Sequence, residues 1–104
     1  MGRRHFTAFN PAVCHRRGHI AAIFIEALAD GAVRHGVPRV TAYRLASQML
    51  AGTAKLQLTT GKHPGAMKDA VCSPGGTTTV GVAALERRGF RSAGLGSNDA
   101  IANK

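Results

Sequence analysis

The chain has 104 residues, 44% of them apolar, and 14 Lys and Arg against 5 Asp and Glu give a formal net charge of +9. This length leaves no room for a nucleotide-binding α/β domain joined to a separate substrate domain. There is no Trp, one Tyr and four Phe, whereas Gly alone counts 13, so a single copy can bury only a thin core. The composition therefore predicts association with a partner surface, most simply a second copy of the chain.

Much of the positive charge lies near the N-terminus, where residues 1–17 hold four arginines and no acid: Arg3, Arg4, Arg16 and Arg17. Such a segment could contact phosphates, with Phe6 and Phe9 available for stacking on bases. The remaining chain has no basic stripe and no nucleic-acid-binding motif. Nucleic-acid binding is therefore a minor alternative, and residues 1–19 are expected to form a basic, disordered arm.

Several other classes of protein are disfavoured. The longest apolar stretch, residues 20–29, contains Glu26 and is shorter than the roughly 18 residues of a membrane span. No apolar segment follows the early arginines, so we expect no secretory signal and a cytoplasmic location. Mitochondria are the alternative, because the acid-free start is typical of transit peptides. Two cysteines do not make a disulfide framework. The spacing of four candidate ligands matches no common zinc pattern, so no metal site is expected: His5, Cys14, His15 and His19.

From residue 20 onward the apolar residues recur with helical spacing. The first stripe consists of Ile20, Ile23, Phe24, Ala27, Leu28 and Gly31. Gly36 is placed to end this helix and Pro38 to precede the next one. The second stripe consists of Ala42, Leu45, Ala46, Met49, Leu50, Thr53 and Leu56. Small residues lie between its members, so we expect another helix to approach this one closely, and Gly61 to end it.

The second half of the chain is also predicted to be helical. His63 and Pro64 begin a short helical turn, and the run from Val80 to Arg88 predicts a further helix that stops at Gly89. β-branched Thr and Val leave a strand open there, but the preceding helices favour a helix. Glycines and polar residues after position 93 predict a frayed tail over 94–104. The fold class is therefore all-α, with one helical domain over residues 20–93.

One candidate binding site lies at residues 73–79, SPGGTTT. Ser73 is predicted to cap a helix whose first residue is Pro74. Gly75 and Gly76 leave backbone N–H groups open, and the threonines add hydroxyls, so with the positive end of a helix dipole the segment forms an anion site sized for one carboxylate. A plain helix start that binds nothing is the alternative. Cys72 beside it is interpreted as a structural thiol rather than a nucleophile, because no His or Asn is near in sequence.

An ordered series of motifs over residues 24–93 resembles the C-terminal dimerisation domain of pyrroline-5-carboxylate reductases. The matching segments are FIEALADGAVRHGVP at 24–38, RLASQ at 44–48, LAGTAK at 50–55, HP at 63–64, MKD at 67–69, VCSPGGTT at 71–78 and ALERRGFRSA at 84–93. The resemblance implies a helical domain of the 6-phosphogluconate-dehydrogenase C-terminal-like type. It also implies a homodimer, or a larger ring of dimers.

The resemblance further implies a reaction and a site. The family reduces 1-pyrroline-5-carboxylate to L-proline with NADPH or NADH, the last step of proline biosynthesis. The substrate carboxylate would bind Ser73 and the backbone of Gly75, Gly76, Thr77 and Thr78, and Val71 would line the pocket. Thr78 is the implied catalytic residue, because its hydroxyl would hydrogen-bond the ring nitrogen and assist protonation as hydride reaches the carbon.

The chain departs from the family at both ends. No Gly-x-Gly-x-x-Gly follows a strand, and Gly94-Leu95-Gly96 is only a two-glycine echo of that motif. Where the family has a Gly-Pro-Ala turn before its first helix, residues 16–20 read RRGHI, and the family's long last helix is expected to break at Gly94. We therefore expect this chain to carry the dimerisation and substrate half, to bind no cofactor by itself, and to be inactive alone. A non-catalytic module that pairs with itself or with a full-length paralogue is the second hypothesis.

Overall fold

A computed structural model describes the backbone of residues 11–103 and the side chains of residues 18–103. Within those residues there are five α-helices and no strand, so the predicted all-α class is confirmed. The helices are α1 (Pro11–Arg34), α2 (Arg39–Thr60), α3 (Pro64–Val71), α4 (Thr77–Arg87) and α5 (Phe90–Ala102). None of these helices is long and apolar enough to cross a membrane. The chain divides into two units, Met1–Ala54 and Lys55–Lys104, with the boundary inside α2.

In the first unit, α1 ends in the turn that the sequence predicts. The Gly36 N–H donates to the Val33 carbonyl at 3.0 Å, and the Val37 N–H donates to the Ala32 carbonyl at 3.1 Å. These two bonds are the Schellman pattern, and Gly36 has the positive φ of 99° that this pattern requires. The carbonyl of Pro38 then accepts the first hydrogen bond of α2, from the N–H of Ala42 at 2.9 Å. The predicted end of α1 and start of α2 are confirmed.

An ion pair joins the last part of α1 to the first turn of α2. The Arg39 guanidinium lies 2.6 Å from a carboxylate oxygen of Asp30, donates a longer hydrogen bond of 3.4 Å to the Tyr43 hydroxyl, and stands 5.7 Å from the Tyr43 ring centroid. The hydrogen bond to Asp30, and after it the hydrogen bond to Tyr43, raises the pKa of Arg39 above its ordinary value. Both partners of the pair are about half exposed, so the pair sets geometry more than it adds stability.

The described residues contain very little core. Only three side chains are buried, and all are alanines: Ala29 in α1 with Ala42 and Ala46 in α2. Eleven larger apolar side chains are between 40% and 78% exposed: Ile23, Val40, Leu45, Met49, Leu56, Leu58, Val71, Val80, Leu85, Phe90 and Leu95. The thin core expected from the composition is confirmed, and an isolated copy leaves much of its apolar surface in water.

In the second unit, hydrogen-bonded turns separate the helices. Gly61 (φ 69°) ends α2, and its N–H donates to the Gln57 carbonyl at 2.8 Å. His63 is the N-cap of α3, because its Nδ1 accepts the Gly65 N–H at 2.9 Å. Gly89 (φ 71°) ends α4 and directly precedes α5, and the two helices contact each other. The stops predicted at Gly61 and Gly89 are confirmed.

The predicted start of the first helix and the predicted frayed tail are wrong. Helix α1 begins at Pro11 rather than at residue 20, because a proline is compatible with the first helical turn and the residues that follow need no apolar stripe to be helical. Residues 94–102 belong to α5 instead of fraying. A glycine inside a helix lowers the stability of the helix by only about 1 kcal/mol relative to alanine, so two glycines do not prevent it from forming. Phe90, Ser97 and Ile101 also share one face of this helix. The expected disorder of residues 1–10 lies outside the described residues.

Candidate carboxylate-binding site

The candidate site is the segment between α3 and α4. Helix α3 ends at Val71, and the next residue, Cys72, leaves the helical conformation with φ −97° and ψ 84° while its N–H still donates to the Asp69 carbonyl at 3.2 Å. The Val71 side chain is 63% exposed at this end of the helix. The Cys72 thiol is free and half-buried. The described residues contain no group of three His, Cys, Asp or Glu that could hold a metal ion, and of the four candidate ligands the side chains of His5, Cys14 and His15 lie outside the described ones.

A tight turn follows, formed by residues 73–76. The Gly76 N–H donates to the Ser73 carbonyl at 3.0 Å. Pro74 and Gly75 occupy the two central positions, and Gly75 has a φ of 71°, which is the pattern of a type II turn. A glycine is needed at position 75 because other residues adopt this left-handed conformation only with strain.

Helix α4 begins after this turn, at Thr77, and the prediction that Ser73 caps it is wrong. The N-cap is Gly76, with φ −78° and ψ 164°, and no side chain accepts a hydrogen bond from the first turn of the helix. The left-handed conformation of Gly75 interrupts the chain between Pro74 and the helix, so Pro74 cannot be a helical residue. Ser73 is therefore part of the turn, three residues before the observed N-cap, Gly76.

Thr79 ties this turn to the helix, which the sequence did not indicate. Its hydroxyl donates to the Ser73 carbonyl at 2.8 Å, so that this carbonyl accepts two hydrogen bonds. The local sequence pattern does not distinguish the hydroxyl of Thr79 from those of Thr77 and Thr78. Thr79 differs from the other two by its position in the helix: it is the third residue of α4, and from there its side chain reaches the Ser73 carbonyl.

The polar groups that remain open at this site are hydrogen-bond donors, which suit an anion rather than a cation. No hydrogen bond among the described residues uses the N–H groups of Gly75, Thr77 or Thr78. The first turn of α4 contains no acidic residue that would compete with an anionic ligand for the positive end of the helix dipole. The hydroxyls of Ser73, Thr77 and Thr78 are on exposed residues.

The side chain of Ser73 lies directly against Gly76. A Cβ atom built on Gly76 would stand 2.5 Å from the Ser73 Oγ and 3.2 Å from the Ser73 carbonyl oxygen. Five of the predicted site residues are thus brought together within the turn and the first turn of α4: Ser73, Gly75, Gly76, Thr77 and Thr78. Val71 stays at the end of α3, two residues before the turn. The arrangement offers several N–H and O–H donors, which suit one carboxylate.

A protein-family model described as pyrroline-5-carboxylate reductase dimerisation matches residues 18–104. The chain belongs to this family. A pyrroline-5-carboxylate reductase of Escherichia coli (strain K12) is 59% identical over 71 residues, and one of Synechocystis is 58% identical over 72 residues. The match covers both helical stripes and the motif at residues 71–78. The sequence resemblance to this family is confirmed.

Solved structures of pyrroline-5-carboxylate reductases are similar to this chain. The enzyme of Streptococcus pyogenes superposes with a TM-score of 0.79 at 34% identity over 82% of this chain. The enzyme of Plasmodium falciparum, solved with NADP bound, superposes with a TM-score of 0.76 at 29% identity over 84% of this chain.

This chain spans only part of the length of its pyrroline-5-carboxylate reductase relatives. It covers 26% of the Escherichia coli protein and 33% of the Streptococcus pyogenes chain. The match contains the dimerisation domain and the candidate carboxylate site. The roles of the individual site residues remain predictions from the sequence.

Proposed function

We propose that this chain supplies the dimerisation domain and the substrate-carboxylate half of a pyrroline-5-carboxylate reductase. The reaction of the complete enzyme would be the reduction of 1-pyrroline-5-carboxylate to L-proline with NADPH or NADH, the last step of proline biosynthesis. The observation that carries the proposal is the set of unused N–H donors at the turn before α4, within a chain that belongs to this family.

The substrate carboxylate would bind at the turn. The Ser73 hydroxyl and the N–H groups of Gly75, Thr77 and Thr78 would donate to its oxygens, and the dipole of α4 would favour its negative charge. With the carboxylate held there, the Thr78 hydroxyl would donate to the ring nitrogen, which must carry a proton in the product. The backbone of Val71 would line the other side.

The described residues do not fit a dinucleotide. They contain no strand, and Gly94-Leu95-Gly96 lies inside α5 rather than in a turn between a strand and a helix. We therefore place the cofactor on another part of the complete enzyme, and we expect the 104-residue chain to bind no NADPH or NADH and to be inactive by itself. The cytoplasmic location expected from the sequence, with mitochondria as the alternative, also stays a prediction.

A titration with L-proline tests the carboxylate site without any cofactor. In a ¹⁵N-labelled sample of the chain, L-proline should shift the amide signals of Gly75, Thr77 and Thr78 and leave those of α1 unchanged. Acetate tests whether the carboxylate alone suffices, and pyrrolidine, which lacks the carboxylate, should cause no shift. Signals at the turn that do not respond to L-proline would contradict the proposed site.

A non-catalytic oligomerisation module is the second candidate, and the exposed apolar side chains favour it. In this case the chain would pair with itself or with a full-length paralogue and would not bind the substrate. Both candidates expect a homodimer or a ring of dimers in light scattering. They differ in the L-proline titration, because only the first expects the turn before α4 to respond.

A further inference from the structure

The turn at residues 73–76 is held by two kinds of hydrogen bond. The hydrogen bond from the Gly76 N–H to the Ser73 carbonyl closes the turn, but both of its atoms belong to the turn, so it does not connect the turn to α4. The bond from the Thr79 hydroxyl reaches the same carbonyl from inside α4, six residues along the chain. Among the described residues, Thr79 is the only one whose side chain donates a hydrogen bond to this turn. The orientation of the turn relative to the helix therefore depends on Thr79.

We propose that Thr79 is a positioning residue of the carboxylate site, an inference that rests on the proposed function. By holding the Ser73 carbonyl 2.8 Å from its own hydroxyl, Thr79 fixes the peptide group that follows Ser73. The Ser73 Oγ lies against Gly76, 2.5 Å from the position of a Cβ built there, and Gly76 directly precedes the first N–H groups of α4. The β-branched side chain of threonine has few rotamers in a helix, so its hydroxyl can hold this position with little loss of conformational entropy.

Thr79 does not itself bind the carboxylate. A threonine hydroxyl has one proton to donate, and a carboxylate accepts hydrogen bonds but donates none. The proton of Thr79 is committed to Ser73, whereas the hydroxyls of Thr77 and Thr78 make no hydrogen bond among the described residues. The three adjacent threonines thus divide into two that are open to a ligand and one that supports the turn.

Three variants of the full 104-residue chain test this division. Thr79→Val removes the hydroxyl and keeps the shape of the side chain, and Thr79→Ser keeps the hydroxyl. Thr59→Val is the matched control, because Thr59 is exposed on α2 and its hydroxyl makes no hydrogen bond to the described residues. For each variant we would measure the thermal midpoint, hydrogen exchange of the Gly76 amide without ligand, and the dissociation constant for L-proline.

Thr79→Val should accelerate exchange of the Gly76 amide and raise the dissociation constant for L-proline by about fivefold, the loss expected for one neutral hydrogen bond. Thr79→Ser and Thr59→Val should resemble the unaltered chain in both measurements. Faster exchange in Thr79→Val with unchanged L-proline affinity would overturn the inference, because the hydroxyl would then stabilise the turn without positioning the site.

The proposed function and this inference can fail separately. If the unaltered chain binds no L-proline, the proposed function fails, and the Gly76 exchange rate still reports on the turn. Exchange that is unchanged in Thr79→Val overturns the positioning role whether or not L-proline binds. Exchange that is faster in Thr79→Val and restored in Thr79→Ser supports the role of the hydroxyl in fixing the turn.

Discussion

Replacing Gly76 by Ala should separate ligand binding from stability. The new Cβ would stand 2.5 Å from the Ser73 Oγ, a distance that forces the Ser73 side chain to rotate away. The backbone of Gly76, with φ −78° and ψ 164°, is allowed for alanine. Two effects of this substitution on the free energy of unfolding oppose each other. Alanine restricts the unfolded chain, which adds about 0.4–1 kcal/mol of stability, but it is a poorer N-cap than glycine, which removes a similar amount. The free energy of unfolding should therefore change by about 1 kcal/mol or less.

The affinity for L-proline should change much more. A hydrogen bond from a hydroxyl to a carboxylate contributes about 1.5–3 kcal/mol, so the loss of the Ser73 donor should weaken binding roughly 10- to 100-fold. The assay is an NMR titration of Gly76→Ala with L-proline, beside urea unfolding at one fixed protein concentration, since self-association makes stability depend on concentration. Gly81→Ala is the matched control: its Cβ would meet no atom within 4 Å, so it should stabilise α4 by about 1 kcal/mol and leave binding unchanged.

A double-mutant cycle makes the reasoning refutable. Ser73→Ala removes the same donor as Gly76→Ala does, so the two losses of binding free energy should not add when the substitutions are combined. Fully additive losses would show that Gly76→Ala acts by another route. Unchanged L-proline affinity in Gly76→Ala would show that the Ser73 hydroxyl does not contact the ligand.

Three further predictions concern the dimer, the start of α3 and the reaction. Leu45→Glu should weaken self-association on the order of 10²-fold in light scattering. The Leu45 side chain is 58% exposed in the single copy, and a glutamate there would place an unpaired charge in the surface that the second copy covers. Gln48→Glu adds the same charge at a polar position and should have little effect. His63→Ala should lower the free energy of unfolding in urea by about 1 kcal/mol through loss of the N-cap of α3, and His63→Asn should restore most of it. In a version fused to a nucleotide-binding domain, Thr78→Ala should lower turnover on the order of 10²-fold, whereas Thr78→Ser should keep most of it. Turnover of Thr78→Ala equal to that of Thr78→Ser would show that the Thr78 hydroxyl takes no part in the reaction.

The local sequence determined most helix boundaries, because these depend on the intrinsic geometry of glycine and proline. Gly36, Gly61 and Gly89 each adopt positive φ where the sequence predicted a helix end, and Pro38 directly precedes α2. The ordered motifs between residues 24 and 93 were also sufficient to recognise the family. The predictions that failed include the start of α1, where no apolar stripe indicated a helix, and residues 94–102, where two glycines predicted fraying.

Tertiary structure decided how the site is built and what the core contains. The sequence showed serine, glycine and threonine in the right order, but several conformations of Pro74 and Gly75 are compatible with it. Only the folded chain shows that the left-handed Gly75 separates Ser73 from α4, and that Thr79 donates back to the Ser73 carbonyl. A hydrogen bond between residues six apart depends on the path of the chain between them, which residue preferences alone do not specify.

The same distinction holds for the partner surface. Composition by itself determined that the core would be thin, since small side chains bury little area whatever the fold. Which side chains are buried was decided by packing: the structure buries Ala42 and Ala46 but leaves Leu45, Met49 and Leu56 exposed, although all five belong to the second helical stripe. Helical periodicity can identify an apolar face, but it does not distinguish a face covered by the same chain from one left for a second copy.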